Sequence, residues 1–256
     1  MILCDFDKNK TAIINPWDLR NKLDSFPKVA VSCFSKSNFD RIVHELNATE
    51  ISYIGGANSR TPIYKATYND VGIALFMASV GSPSCVGDIE DLFQLGCDKI
   101  VLFGTCGVLD TSIEDCSIII PDVAVCYEGC SYHYAPFSDE IKVNPKYIDD
   151  FIDILDSHKF KYTVGKTWTI DSIYRETMDK VEKRKNQGCI CVDMECSAIA
   201  TVASFREKDV FQFFYAADNL DCEVWDKRSL SNDEKLLEKD RIASIALDMA
   251  VKISKN

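Results

Sequence analysis

The sequence lacks the residue pairs that usually hold a metal ion. It contains no Cys-x-x-Cys pair, and its three histidines, His44, His133 and His158, lie far apart along the chain. Zinc sites draw their ligands from such closely spaced pairs, so no metal site is expected. The spacings Gly-x-Gly-x-x-Gly and Gly-x-x-x-x-Gly-Lys-Ser/Thr are also absent. Binding of dinucleotides or nucleoside triphosphates by these motifs therefore has no support.

Basic residues are the minority, and long apolar runs are missing. The 256 residues include 29 lysines and arginines against 40 aspartates and glutamates, which gives a formal net charge of −11. This balance argues against a general nucleic-acid-binding surface, although it leaves room for a small anion held by a few local donors. No apolar run approaches the roughly 20 residues of a membrane-spanning helix, so no membrane partner is expected.

The twelve cysteines are numerous but scattered. Several stand among apolar or small residues, which is typical of reduced thiols in a protein core. The first residues, Met-Ile-Leu-Cys-Asp-Phe-Asp, are acidic rather than basic and then apolar, so a secretory signal peptide is not expected. Together these features predict a cytoplasmic protein.

Short apolar runs alternate with amphipathic stretches along the whole chain. Strands are predicted at residues 11–14, 29–34, 51–56, 63–68, 72–78, 99–103, 118–121, 162–169 and 211–217. Helices are predicted at residues 38–46, before Gly96, at 144–159, up to Phe205 and at 232–254, the last with a capping-box pattern at 231–234. The alternation predicts a single α/β domain over residues 1–256, a three-layer α/β/α sandwich with a central twisted mixed sheet.

Two carboxylates, Asp193 and Glu195, follow the apolar run at residues 189–192. In extended chain, residues two apart point to the same side. An unpaired buried charge is costly, so acidic residues beside a buried strand suggest that both face a ligand pocket. The alternative is a solvated turn into a helix, because the N-terminus of a helix favours acidic residues.

Two further motifs stand, like the carboxylate pair, where α/β sheets bind ligands, near the carboxyl ends of strands, and a third opens a helix. Gly-Thr-Cys-Gly at residues 104–107 allows close backbone approach; a plain tight turn is the alternative. Asp218 follows a buried apolar run, where loss of solvent would raise its pKa and suit it to proton donation; a turn aspartate is the alternative. Gly-Ser-Pro-Ser-Cys at 81–85 opens a helix whose N–H groups suit an anion; an ordinary N-cap by Ser84 is the alternative.

Taken in order, these motifs resemble those of the nucleoside phosphorylase family, which includes hexameric purine nucleoside phosphorylases, uridine phosphorylases and related nucleosidases. The resemblance runs from about Thr11 to Ile253. Its most specific pieces lie at residues 81–85, 104–107, 169–174 (Thr-Ile-Asp-Ser-Ile-Tyr), 192–195 (Val-Asp-Met-Glu) and 217–218 (Ala-Asp). It implies a pentosyltransferase that uses inorganic phosphate as co-substrate and needs no metal or organic cofactor.

The resemblance also implies a role for each matching residue. Glu195 would bind the ribose hydroxyls, Met194 would pack on the sugar, and Asp218 would protonate N7 of a departing purine. Other substrate contacts are implied at Thr105, Cys106, Gly107, Ile173, Tyr174, Val192 and Asp193. Of these, Asp193 is a lesser contact beside the base, and Ile173 replaces the phenylalanine that the family stacks on the base. Arg228 is a candidate to assist the catalytic Asp218.

The departures from the family pattern concern the residues that bind phosphate. The family's phosphorylases carry an arginine where this chain has Leu102, and their Gly-Asp-Pro-x-Arg loop is represented only by the segment ending at Arg20. The arginine lent by a neighbouring subunit has no clean match, and Arg60 lies one residue away. The implied phosphate residues are Gly81, Thr105, Arg20 and Arg60. Each lost charge-assisted contact costs roughly 1.5–3 kcal/mol, or about 10- to 150-fold in affinity, which weakens phosphorolysis without forbidding it.

Four activities stay open at this point. Asp218 favours cleavage of purine nucleosides, since uridine-cleaving members lack it and carry Gln and Arg where this chain has Thr177 and Asp179. The segment at residues 129–136 resembles the uridine type instead. A nucleosidase would activate water with a glutamate that the loop at 14–17 lacks, and a non-catalytic nucleoside-binding protein is the fourth reading. The resemblance implies a homo-oligomer built from dimers, such as a hexamer.

Overall fold

The computed structural model describes residues 2–56, 60–230, 232 and 234–255. Within these ranges the strands are β1 (Val29–Cys33), β2 (Thr49–Gly55), β3 (Arg60–Tyr68), β4 (Val71–Met77), β5 (Lys99–Val108), β6 (Ile118–Tyr127), β7 (Glu140–Lys142), β8 (Tyr162–Ile170), β9 (Cys189–Asp193) and β10 (Asp209–Asn219). The helices are α1 (Pro16–Leu19), α2 (Lys36–Glu45), α3 (Ser82–Leu95), α4 (Ile148–His158), α5 (Met178–Asn186), α6 (Cys196–Arg206) and α7 (Leu236–Ser254). Short 3-10 helices occur at Ile2–Cys4, Ser131–His133 and Ile173–Arg175.

The strands join in one mixed sheet, in the order β2-β3-β4-β1-β5-β9-β8-β6-β10, with β7 on β6. Strands β4, β1, β5 and β10 run parallel, whereas β2 and β3 form an antiparallel edge. Because β10 pairs with both β6 and β5, strands β5, β9, β8, β6 and β10 close into a ring. The predicted α/β class with a mixed central sheet is confirmed, and the ring places the ends of β5, β9 and β10 together.

Helices cover both faces of the sheet. Along β5, Val101 and Phe103 pack with α2, α4 and α7 on one face, whereas Ile100 and Leu102 pack with α3 and α6 on the other. This alternation follows from the two-residue repeat of a strand. All four side chains are buried, and each such burial contributes roughly 1.5–3 kcal/mol. The three-layer arrangement therefore rests on apolar packing from both sides.

Strand β5 is longer than predicted. The prediction ended it at Phe103 and made residues 104–107 a loop, but the strand continues to Val108 because β10 pairs with it as far as Asn219. Two glycines permit this close packing. A Cβ on Gly104 would stand 2.7 Å from a ring carbon of Phe34, and one on Gly107 would stand 2.3 Å from a methyl carbon of Leu220.

Other predicted boundaries also shift. Residues 11–14 form no strand, since they pair with no other strand and Ile13 is fully exposed. The helix predicted at 144–159 begins only at Ile148, after Tyr147 with a positive φ of 71°. The last helix begins at Leu236, after Lys235 with a φ of 56°. Two members of its predicted capping box, Ser231 and Asp233, lie outside the described residues.

Candidate active site

A cavity of about 480 Å³ opens beside the ring, where β5, β9 and β10 lie together. It is lined by Phe34, Val80, Thr105, Cys106, Gly107, Ile173, Tyr174, Glu176, Met178, Val181, Val192, Asp193, Met194, Glu195, Asp218, Leu220, Cys222, Glu223, Trp225 and Leu230. Every residue predicted to contact the nucleoside is present, together with Asp218. A mainly apolar cavity of this size with a few polar groups is typical of small-molecule sites. We refer to it as the nucleoside cavity, after the ligand that the family resemblance implies.

Asp193 is held by four hydrogen-bond donors. Its Oδ1 accepts from the hydroxyls of Thr167 (3.0 Å) and Thr169 (2.9 Å), and its Oδ2 accepts from the backbone N–H groups of Glu195 (2.8 Å) and Cys196 (2.6 Å). Burial raises the pKa of Asp193 to about 6 against the effect of these donors. The side chain therefore fixes the turn into α6, but it is only 6% exposed, so the alternative of a solvated turn does not describe it. One of the four bonds, from the backbone N–H of Glu195, ties that residue to the turn.

Glu195 is tied to the start of α3. Its Oε1 accepts from the backbone N–H of Gly81 at 2.6 Å, and Ser82 Oγ donates to the carbonyl of Met194 at 2.7 Å. Gly81 has a φ of 94°, a conformation that favours glycine. The structure thus places Gly81 behind Glu195 and not on the cavity surface. Burial, followed by the charge of Asp193, raises the pKa of Glu195 to about 8.

Asp218 lies across the nucleoside cavity on β10, at a break in the register with β5. Such irregularities often redirect side chains next to active sites. Its Oδ2 accepts from the indole Nε1–H of Trp225 at 2.8 Å. Burial is the main cause of a raised Asp218 pKa, and the Trp225 hydrogen bond and the charge of Arg228 partly oppose it. A buried carboxyl of this kind can remain protonated and act as an acid.

Arg228 makes no direct contact with Asp218. Its Nη1 donates to the carbonyl of Ile113 at 2.9 Å, and its Nε lies 3.4 Å from Oδ2 of Asp226. The guanidinium is therefore engaged beside the cavity and is not among the lining residues. Only its charge reaches Asp218, where it lowers the pKa.

Ten of the twenty lining residues have no counterpart among the sequence predictions, and three of them, Phe34, Glu176 and Trp225, bear on the chemistry of the site. Glu176 directly follows the short helix Ile173–Arg175. Its closeness in sequence to the predicted contacts Ile173 and Tyr174 was therefore the one signal that could have identified it. Burial and the nearby Asp218 raise the pKa of Glu176 to about 7. No hydrogen bond or ion pair to its carboxylate occurs among the residues that the structure describes. Phe34 and Trp225 belong to no recognisable motif.

A second cavity, of about 310 Å³, adjoins the first. The two share Phe34, Thr105 and Leu230 as walls. The remaining walls are Cys33, Ser35, Lys36, Ser37, Asn38, Phe103, Gly104, Tyr215, Ser229, Asn232, Leu236 and Lys239. These include two lysines and no carboxylate. Since they also include the first residues of α2, whose N–H groups favour anions, we refer to this space as the anion cavity.

The two lysines of the anion cavity differ in their surroundings. Lys239 is buried, and its Nζ donates to the carbonyls of Ser229 and Asn232, each at 2.9 Å. A lysine ammonium has three donors, so one remains. Lys36 is largely exposed and pairs with Asp40 at 2.6 Å.

The arginines predicted to bind phosphate lie elsewhere. Arg20 donates to Asp91 at 2.9 Å and to the carbonyl of Gly55 at 3.1 Å, and Arg60 pairs with Glu50. Both guanidiniums contact the ring of Tyr53. Neither arginine lines either cavity. Thr105 is the predicted phosphate residue that does, whereas Leu102 is buried in the core between β5 and its covering helices.

Within the described ranges, no group of three or more histidine, cysteine, aspartate or glutamate side chains is arranged to hold a metal ion. No helix in those ranges is both long and apolar enough to cross a bilayer.

A sequence profile of the phosphorylase superfamily matches residues 28–252. The chain therefore belongs to this superfamily, and the predicted family is confirmed. With it, the prediction that the protein is a phosphorylase enzyme is confirmed.

Individual relatives are distant in sequence. A guanosine phosphorylase of Halorubrum lacusprofundi is 21% identical over 231 residues, which cover 90% of this chain and 92% of the relative. A DeoD-type purine nucleoside phosphorylase of Bacillus cereus is 22% identical over 200 residues, which cover 73% of this chain and 79% of the relative.

Solved structures share the fold. A uridine phosphorylase from Vibrio fischeri superposes with a TM-score of 0.76 at 21% identity, covering 91% of this chain and 95% of that one. A purine nucleoside phosphorylase from Toxoplasma gondii, in complex with immucillin-H, gives a TM-score of 0.78 at 18% identity, covering 91% and 93%. Because both base specificities occur on this fold, the fold does not decide between them.

Proposed function

We propose that the protein is a purine nucleoside phosphorylase, which cleaves the N-glycosidic bond of a (deoxy)ribonucleoside with inorganic phosphate to give the free base and a pentose 1-phosphate. The observation that carries the proposal is the pair of adjoining cavities. One contains Glu195 at the start of α6 and Asp218 on β10, and the other contains lysines and no carboxylate. The first suits a nucleoside and the second an anion. The names of the guanosine and purine nucleoside phosphorylase relatives agree with this reading.

The sugar half of the reaction is assigned to Glu195 and Met194. Gly81 holds one carboxylate oxygen of Glu195, and the ribose hydroxyls donate to the carboxylate. Hydrogen bonds to an ionised acceptor are roughly twice as strong as neutral ones. Such donors also favour the charged form, so sugar binding lowers the pKa of Glu195 from its raised value of about 8.

The base half of the reaction is assigned to Asp218. As the bond between C1′ and the base nitrogen breaks, its electron pair passes to the purine, and the proton of Asp218 moves to N7. The sugar carries oxocarbenium character until a phosphate oxygen forms the new bond to C1′. Asp218 is left as a carboxylate, stabilised by the Trp225 N–H. Ile173 and Val192 supply apolar walls for the base.

The phosphate is assigned to the anion cavity. Its cationic groups are Lys36 and Lys239, and the N-terminus of α2 adds backbone N–H groups. Thr105 lies on the wall between the cavities, where its hydroxyl can contact phosphate or sugar. The proposed phosphate ligands are therefore Lys36 and Lys239. Arg20 and Arg60 are not proposed, because both are paired elsewhere. No metal or organic cofactor has a role in this mechanism.

Phosphorolysis is favoured over hydrolysis by the composition of the anion cavity. A hydrolase needs a carboxylate or similar base to activate water beside C1′. The described residues that line this cavity include no aspartate, glutamate or histidine. Two lysines would instead stabilise the charge of a phosphate.

The purine preference is favoured by Asp218 and Glu176. An aspartic acid can protonate N7 of a purine, an atom that uracil lacks. Glu176 has no partner among the described residues, and as a carboxylate it accepts the N1–H and 2-amino groups of guanine. Adenine offers an acceptor at N1 and is disfavoured by an ionised Glu176. Thr177 and Asp179, which replace the Gln and Arg of uridine-cleaving members, do not line the nucleoside cavity.

The assembly and location are also proposals. Several residues that line the nucleoside cavity are exposed apolar side chains, among them Tyr174 at 95% and Trp225 at 58% exposure. Large exposed apolar surface often marks an interface, which supports a dimer-based homo-oligomer such as a hexamer. All twelve cysteines are free thiols, which supports a reducing compartment such as the cytoplasm.

The direct test measures base release from guanosine, inosine, adenosine and uridine, each with and without phosphate, and follows pentose 1-phosphate by phosphorus NMR. We expect phosphate-dependent cleavage of the purine nucleosides. Equal rates without phosphate would establish hydrolysis, and faster cleavage of uridine would reverse the base preference. If a nucleoside raised the unfolding temperature but was not cleaved, the protein would be a non-catalytic nucleoside-binding protein.

A further inference from the structure

Trp225 lies in the loop that follows β10 and returns over Asp218. The loop is closed by a two-residue bridge, in which Asn219 N–H donates to the carbonyl of Asp226 at 2.8 Å and Asp226 N–H donates back at 3.3 Å. The bridge brings Trp225 to the cavity wall, where its indole N–H meets Oδ2 of Asp218. Since Trp225 is 58% exposed, core packing does not explain its position.

The chemistry of the indole constrains the carboxyl group. An indole N–H can donate a hydrogen bond but cannot accept one. A protonated carboxyl has one carbonyl oxygen, the better acceptor, and one hydroxyl oxygen. With Oδ2 accepting from Trp225, the acidic proton of Asp218 belongs on Oδ1.

Oδ1 of Asp218 lies next to Gly107, which lines the nucleoside cavity. A Cβ at Gly107 would stand 3.3 Å from this oxygen. Leu220 and Val192 pack against the same point, and both also line the cavity. The proton-bearing oxygen therefore lies among residues of the cavity wall.

Resting on the proposed function, we infer that Trp225 is a positioning residue for proton transfer: its N–H occupies Oδ2 of Asp218, so that the proton sits on Oδ1 and passes to N7 of the purine. After the transfer, the same N–H donates to a carboxylate, which strengthens the bond. Trp225 acts by direct contact, in contrast to Arg228, whose charge acts from a distance.

Two charged groups act on Asp218, Asp226 and Arg228, both on its own loop. The charge of Asp218 in turn acts on Glu176, on the segment after β8, and on the thiol of Cys106 on β5. Within the described ranges, Trp225 alone donates a side-chain hydrogen bond to Asp218. Loss of that bond removes a contact that favours the carboxylate, and it therefore raises the pKa of Asp218.

The test compares Trp225→Phe with the wild type on guanosine and N7-methylguanosine, at saturating phosphate and across pH. The base of N7-methylguanosine is already cationic and leaves without a proton at N7. We expect the variant to lose about 10-fold in plateau kcat/KM for guanosine, the scale of one hydrogen bond, and to keep its activity on N7-methylguanosine. The alkaline limb for guanosine should move to higher pH, because activity requires the protonated acid.

Trp17→Phe is the matched control, since Trp17 is 50% exposed on α1 and lines neither cavity. It should change neither substrate's kinetics. Equal losses by Trp225→Phe on both nucleosides, or an unmoved alkaline limb, would show a purely structural role and overturn the inference. If the wild type cleaves neither nucleoside with phosphate, the proposed function itself is refuted and the inference falls with it.

Discussion

The two cavities hold their polar groups in different ways. In the nucleoside cavity, Glu195 and Asp218 are buried and each is fixed by a directed donor, a backbone N–H or an indole N–H. In the anion cavity, Lys36 is exposed and paired with a surface aspartate, while Lys239 is buried on backbone carbonyls. A proton must pass between defined atoms, which demands a fixed carboxyl oxygen. An anion needs only charge and donors, which lysine supplies as a compact point charge.

The largest expected effect comes from removing the acid of the nucleoside cavity. Asp218→Ala should lower kcat for guanosine by about 10²- to 10⁴-fold, the usual contribution of general acid catalysis. Nucleoside affinity should change little, since Glu195 and the apolar walls remain. The measurement is steady-state kinetics combined with equilibrium binding. Asp226→Asn, on the neighbouring exposed carboxylate, is the control, and a similar loss there would point to general disturbance of the loop.

The next effect concerns the anion cavity. Lys239→Met keeps most of the apolar stem and removes the charge, so the KM for phosphate should rise about 10- to 150-fold, from a loss of roughly 1.5–3 kcal/mol. The KM for guanosine should stay near the wild-type value. Initial rates at varied phosphate concentration measure the change.

Arg20→Met is the matched control for Lys239→Met. Arg20 is paired with Asp91 away from both cavities, so its loss should leave the phosphate KM unchanged. The reverse result, in which position 20 matters and position 239 does not, would move phosphate out of the anion cavity.

A smaller effect is expected at the base. Glu176→Gln should lower kcat/KM for guanosine about 10-fold and leave adenosine unchanged or improved, because a carboxylate accepts the guanine N–H groups. Glu223→Gln, at an exposed carboxylate that lines the same cavity, should leave the ratio unchanged. A constant guanosine-to-adenosine ratio in Glu176→Gln would remove this residue from base selection.

The base preference is also expected to depend on pH through Glu176. Burial and the charge of Asp218 raise the pKa of Glu176 to about 7. Above this pH the side chain is an acceptor, and below it the carboxyl is protonated and can donate to N1 of adenine. The wild-type preference for guanosine over adenosine should therefore weaken as pH falls through about 7, whereas Glu176→Gln should show a flat ratio.

The comparison of the two cavities also shows what the sequence could predict. The nucleoside cavity was predictable because its residues stand in short motifs at strand ends, as Val-Asp-Met-Glu does at 192–195. The α/β class followed from alternating strands and helices. The closure of the sheet into a ring depends on β10 pairing with both β5 and β6, a long-range contact that no local pattern encodes.

The anion cavity was not predictable from motifs. It combines the start of α2 with Lys239 on α7, two segments about 200 residues apart that only the packed core brings together. Arg20 matched a family motif in residue type, but the fold pairs it with Asp91. The role of Asp193 was ambiguous in the sequence for a related reason. It depends on hydrogen bonds from two threonines on β8, which are distant in sequence.

The smallest expected effect comes from Arg228, which lines neither cavity. Its charge lowers the pKa of Asp218 without touching it. Arg228→Met should therefore raise that pKa and move the alkaline limb of kcat/KM for guanosine upward by less than about one pH unit, with at most a few-fold change in kcat. Lys227→Met, on the same loop, is the control and should leave the limb in place. If Arg228→Met instead costs as much as Asp218→Ala, the bond from Arg228 to Ile113 must break during turnover so that the guanidinium reaches the acid directly. The nucleoside cavity would then be completed by loop movement rather than fixed in advance.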